Sequence, residues 1–148
     1  MAQPLKLDRV LFATDLSPGS EPALRYAASL ASRFSARIYL LHVVPPADAA
    51  ADVALCTSDA ERQATEAMRR VRQELLAAYD DYTIAILPGD QAARILQKAE
   101  DVNADLIVMG TSPRCPRAGG VTDTVMRFAS CPVLTVPHTR DQSAELPT

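Results

Sequence analysis

A doubly wound α/β domain, with one parallel sheet and helices on both faces, is what this chain is patterned to form. Five short, mostly apolar runs mark the strands: RVLFAT (9–14), RIYLLHVV (37–44), YTIAIL (82–87), DLIVM (105–109) and PVLTV (132–136). Between them lie longer stretches whose apolar residues recur at helical spacing. Strands alternating with helices imply parallel pairing through right-handed crossovers. With 148 residues, the chain suits one domain around one sizeable core. That single domain is expected over 1–148, with its core at about 8–137 and a polar tail from 138.

The first run is short and mostly apolar and ends at Asp15, as a buried parallel strand does. LSPGSEP then turns the chain. Ser20 is the expected N-cap of the first helix, because it places Pro22 within the first turn; a start at Ser17 would put Pro22 where a backbone donor is needed. Ala23, Ala27, Leu30, Ala31 and Phe34 recur at helical spacing and make one apolar face. The second strand stops at Pro45-Pro46. ADAAADVALCT has no clear period and reads as a loop.

Ser58 can cap a long helix over about 59–79. Its polar face carries Glu61, Arg62, Glu66, Arg69, Arg70 and Arg72, and its thin apolar face carries Ala64, Met68, Val71, Leu75 and Leu76, the pattern of a partly covered surface helix. After the third strand, Pro88-Gly89-Asp90 turns the chain with Asp90 as N-cap. Ala92, Ile95, Leu96 and Ala99 form the buried side of the next helix, which Asn103 closes. The fourth helix is expected over 119–129, and Cys131 opens the last strand.

Composition excludes several classes. Hydrophobic residues make up 48% and charged residues 22%, as in an ordinary globular protein. A net charge of −3 argues against a nucleic-acid partner, which needs a basic surface. No apolar run approaches the roughly 18 residues needed to cross a bilayer, so no membrane partner is expected. The opening MAQPLKLDRVLFATD has too short an apolar stretch for a signal peptide, and the cytoplasm is the expected compartment. Cys56, Cys115 and Cys131 form no CxxC pair and suggest neither a disulfide framework nor a zinc site.

Ligands in such sheets bind beyond the carboxyl ends of the strands. Asp15, Val43-Val44, Pro88-Gly89 and Gly110 all fall there. Residues 105–136 add a strand ending at Gly110, a loop, the pair Gly119-Gly120 and a helix. That order builds a site for an anion or a nucleotide.

ATDLS after the first strand, LLHVV, the PGD turn, ADLIVMGT and CPVLTV, in this order, resemble universal stress proteins from about residue 8 to 137. The resemblance implies a five-stranded sheet in the order 3-2-1-4-5, a fold like that of the adenine nucleotide α-hydrolases. Members that bind ATP carry glycine, two residues, glycine, nine residues, glycine, then Ser or Thr. Here the first glycine matches Gly110 and the last matches Gly119; the second falls on Pro113, and the Ser or Thr falls on Gly120. Only the eight residues 111–118 separate Gly110 from Gly119, about four fewer than the motif requires. Pro113 and Pro116 remove backbone donors, and Gly120 offers no hydroxyl. What remains is the N-terminus of the fourth helix, with donors from Gly119, Gly120 and Val121, and the charges of Arg114 and Arg117.

By the same resemblance Asp15 and Val43 would lie by the adenine, and Met109 and Gly110 by the ribose. Asp15 is otherwise a cap for the turn LSPGS. His42 reads as a core histidine satisfied by backbone rather than a catalytic one, and no G-x-S-x-G elbow presents a serine to it. Cys115, beside Arg114 and Arg117, suits a redox-sensing thiol; Cys131 reads as buried and inert. The Arg-rich face of the long helix reads as a solvated face.

The resemblance thus implies a non-enzymatic protein of stressed or slowly growing cells that works without ATP, with no cofactor and no metal. It would act as a homodimer and through unknown protein partners. Pairing is expected through the last strand, by Val133, Leu134 and Val136. The alternatives are an ATP- or AMP-binding regulatory module with a shortened phosphate loop, and a weak ATPase or redox sensor.

Overall fold

The structure, a computed structural model, describes residues 4–16, 20–44, 62–63, 65–73, 79–111 and 120–137. Five strands, β1 (Arg9–Ala13), β2 (Arg37–Val44), β3 (Tyr82–Pro88), β4 (Leu106–Thr111) and β5 (Val133–Pro137), form one sheet in the order β3-β2-β1-β4-β5. Every pairing is parallel. The helices are α1 (Glu21–Phe34), α2 (helical at residues 62–63 and 65–73), α3 (Gln91–Val102) and α4 (Val121–Phe128). Ser58, Ala64, Leu75, Leu76, Cys115, Gly119 and the tail from 138 lie outside the described residues.

Two cores form because alternate strand residues face opposite sides of the sheet. Val10, Phe12, Ile38, Leu40, Val108 and Val136 pack with α1 and with Met68 of α2. Leu11, Ala13, Leu41, Val43, Ile107 and Met109 pack with α3 and with Val125 of α4. The sheet is therefore covered on both faces, and its strands read as apolar runs for that reason. On α2, Met68 is buried and Val71 packs beside it, while Arg62, Glu66, Arg69, Arg70 and Arg72 are exposed, as the thin apolar face predicts.

Several turn readings hold. Asp90 caps α3 by accepting from the Ala93 N–H at 3.0 Å, and Asn103 ends it in the left-handed region at φ 53°. Gly89 sits at φ 130°, and a Cβ there would lie 2.9 Å from Arg94 Nε, which itself donates to the Pro88 carbonyl at 2.9 Å. Only glycine fits that turn without strain.

Four expectations need correction. Phe34 is not on the buried face of α1; it is exposed at the last helical residue, and Leu24 takes the place in the core. The helical period leaves Phe34 on the same face as Ala23 and Ala27, so its exposure comes from its place at the end of the helix and not from its angular position. Ser20 is the N-cap residue of α1, but its side chain caps no backbone donor, because its Oγ pairs with Thr14 Oγ1 at 3.0 Å. Helix α4 starts at Val121 rather than 119, with Gly120 as its extended N-cap. Cys131 precedes β5 instead of opening it.

Candidate functional site

A cavity of about 580 Å³ opens beyond the carboxyl ends of β1, β2 and β4. It lies where the winding reverses: β1 continues through α1 to β2 on one side, and β3 returns through α3 to β4 on the other. Such switch points are where open α/β sheets bind ligands. One row of the sheet, Leu41–Ala13–Met109, supplies the floor. Val43, Ile95 and Val121 extend the apolar surface, and Gln91 and Thr122 add polar groups from the first turns of α3 and α4.

The turn after β1 is held by hydroxyls. The Thr14 N–H continues the ladder by donating to the Leu41 carbonyl at 3.0 Å. Its side-chain oxygen accepts from the Leu16 N–H at 2.9 Å. That bond holds Leu16 at φ 63°, a conformation that costs a bulky residue about 1–3 kcal/mol. Thr14 and Ser20 are both buried, and Asp15 between them is exposed at the cavity. His42 is half-buried, and its Nδ1–H donates to the Thr14 carbonyl at 2.9 Å, the backbone-satisfied histidine that its position predicts.

Of the seven residues singled out in the sequence, Asp15, Val43, Met109, Gly110, Gly120 and Val121 all line this cavity. Gly119 lies outside the described residues. Sequence reasoning missed Gln91, Thr122, Asp123 and Met126. Their signal was available: each lies in the first two turns of a helix that follows a strand end, where doubly wound folds place ligands.

Charge is unevenly distributed. Among the described residues the lining holds the carboxylates of Asp15 and Asp123 and no lysine or arginine. Asp123 favours the N-terminal turn of α4, and Arg127 pairs with it at 3.5 Å one turn later. The Gly120 carbonyl accepts from the Thr124 N–H at 3.0 Å and from its hydroxyl at 3.1 Å. Among the described residues no group of three or more His, Cys, Asp or Glu comes together, and no helix is long and apolar enough to cross a membrane.

Away from the cavity, the Asp105 carboxylate accepts from the Asp8 and Arg9 N–H groups at 2.8 and 3.0 Å, which ties the starts of β1 and β4 together. Burial first, and the Asp105 charge second, push the Cys131 thiol above its ordinary range. Cys131 is half-buried and not buried as its sequence position suggested, and the shift favours its thiol form.

A model of the universal stress protein family matches residues 6–137. The chain belongs to that family. Universal stress protein MJ0531 of Methanocaldococcus jannaschii is 31% identical to it over 140 residues, which cover 86% of this chain and 81% of that protein. Universal stress protein UspA from Lactobacillus plantarum shares the fold at a TM-score of 0.79 and 23% identity, covering 90% and 99% of the two chains. A universal stress protein from Archaeoglobus fulgidus, solved in complex with dAMP, superimposes at a TM-score of 0.69 with 22% identity over 89% and 99%. The strand order implied by the resemblance is the observed one, and with it the adenine nucleotide α-hydrolase-like architecture of this universal stress protein.

Proposed function

We propose that this universal stress protein is a non-enzymatic, homodimeric regulator of the stressed cell, acting on protein partners in the cytoplasm. Its cavity takes an adenine nucleoside or monophosphate, and it does not depend on ATP. The observation that carries this reading is the division of the cavity wall. One side is an apolar floor with an acceptor at its edge, Asp15; the other side ends in a second carboxylate, Asp123.

The floor of Leu41, Val43, Ile95 and Met109 suits the face of a base, and Asp15 suits an exocyclic amine. A cavity of about 580 Å³ has room for a nucleoside. A triphosphate fares worse. Gly120 gives it no hydroxyl, Pro113 and Pro116 give it no backbone donor, and Asp123 repels it. A monophosphate can keep the single helix terminus of α4 while carrying less charge past Asp123. The Archaeoglobus relative bound to dAMP accords with a ligand of that size.

The test is thermal melting of the whole chain with AMP, ATP or adenosine, each with and without magnesium. AMP at a hundred times its dissociation constant is expected to raise the melting temperature by roughly 5–10 °C. ATP is expected to raise it less, with no phosphate released at high protein concentration. Stronger stabilisation by ATP, or phosphate release that Asp15→Ala abolishes, would overturn the reading.

Asp123→Asn isolates the electrostatic half. Removing one negative charge about 4 Å from a phosphate is worth ~1 kcal/mol in water-like surroundings, so AMP is expected to bind about fivefold tighter. The gain is expected to vanish at molar salt, where screening shortens to about 3 Å. An unchanged affinity at low salt would place the phosphate elsewhere.

A further inference from the structure

The three described methionines beyond the first residue differ sharply in exposure. Met68 is 2% exposed and Met109 is 5% exposed, whereas Met126 is 50% exposed. Met126 is also part of the cavity wall, on α4, one helical turn beyond Thr122 and Asp123. A half-exposed methionine thus borders the apolar surface of the cavity, which includes Val121, Ile95 and the buried Met109.

We infer that Met126 is a peroxide-reactive modification site, and that its sulfoxide form expels the ligand from the cavity. The thioether sulfur attacks one oxygen of hydrogen peroxide and the O–O bond breaks. The sulfur keeps that oxygen and is oxidised by two electrons. The departing hydroxide takes the remaining proton and leaves as water, so the peroxide is reduced by the same two electrons. Oxidation exchanges a flexible apolar side chain for a polar, chiral one. The new S=O needs a hydrogen-bond donor, and the Thr122 hydroxyl, four residues earlier on the same helix and also lining the cavity, is placed to supply it. Swinging toward Thr122 and drawing water with it, the sulfoxide replaces apolar contact with a solvated dipole, which a base face cannot satisfy.

Selectivity follows from access. Met68 packs between α2 and the sheet and Met109 lies in the cavity floor, each almost wholly covered, so peroxide reaches their sulfurs far less often than that of Met126. The effect on the ligand rests on the AMP reading above; the selectivity does not.

The experiment uses the whole chain, graded hydrogen peroxide and peptide mass spectrometry. Peptides carrying Met126 are expected to gain oxygen about tenfold faster than those carrying Met68 or Met109. In the same samples the AMP-induced melting shift is expected to fall as Met126 oxidises. In Met126→Leu, peroxide is expected to leave that variant's own AMP shift where it stood before treatment. Equal oxidation of Met68 or Met109 overturns the selectivity. A full AMP shift in protein fully oxidised at Met126 overturns the expulsion. If AMP gives no shift before peroxide, the nucleoside reading fails and the expulsion falls with it, while the peptide rates still decide the modification site.

Discussion

Phe12→Ala is expected to destabilise the protein by about 3–5 kcal/mol, the range for deleting a large buried aromatic. Phe12 is 1% exposed in the central strand β1 and belongs to the core between the sheet and α1. Backbone pairing on both sides, to β2 and β4, holds the strand in place and limits collapse around the hole. Small domains are stable by only about 5–15 kcal/mol, so the variant loses from about a fifth to all of that margin. Urea unfolding should show a lower midpoint at unchanged slope. Phe34→Ala is the matched control. At 36% exposure on the last residue of α1, that ring is expected to cost under about 1 kcal/mol. Equal losses in the two variants would mean that α1 is turned differently against the sheet.

Leu134→Arg is expected to convert the proposed homodimer into monomers, read by light scattering. β5 pairs with β4 on one side only and ends the sheet. Its outer backbone groups are open to a second copy, and antiparallel pairing there would satisfy them in both protomers and remove a hazardous edge. Val133 and Leu134 are half-buried, so part of each is left for a neighbour. Val136 is buried in the core beside α1, and its contribution to such pairing is confined to its backbone. Phe128, the last residue of α4, is among the most exposed large apolar groups and precedes β5 by a short link. In the proposed dimer an arginine at 134 would bring one unpartnered positive charge from each copy to the shared edge. Circular dichroism should show the helices retained. An unchanged dimer would mean that β5 is not the interface.

Much of the fold was legible because the strands are buried on both faces. Continuous apolar runs such as RIYLLHVV have few other uses in a chain of this length. Boundaries were legible where a residue type has one physical role, as at Asp90, Asn103 and Gly89. They were less so at the start of α4, where a pair of glycines allows either of two first residues. Candidate site residues converged because every one sits at a strand end or a helix start, and the winding brings those ends together.

By itself, the sequence determined the order and kind of the elements, the family, and the departures from the family's glycine motif at Pro113, Gly120 and the loop length, since these depend on residue type and spacing. The tertiary structure alone decided what faces what. It set Asp123 and Met126 on the same cavity as Asp15, exposed Phe34, and turned Val136 inward. The physical reason is that a side chain's surroundings depend on how α3 and α4 cross the sheet and on the two-residue alternation of each strand. Neither leaves a mark in the identity of one residue.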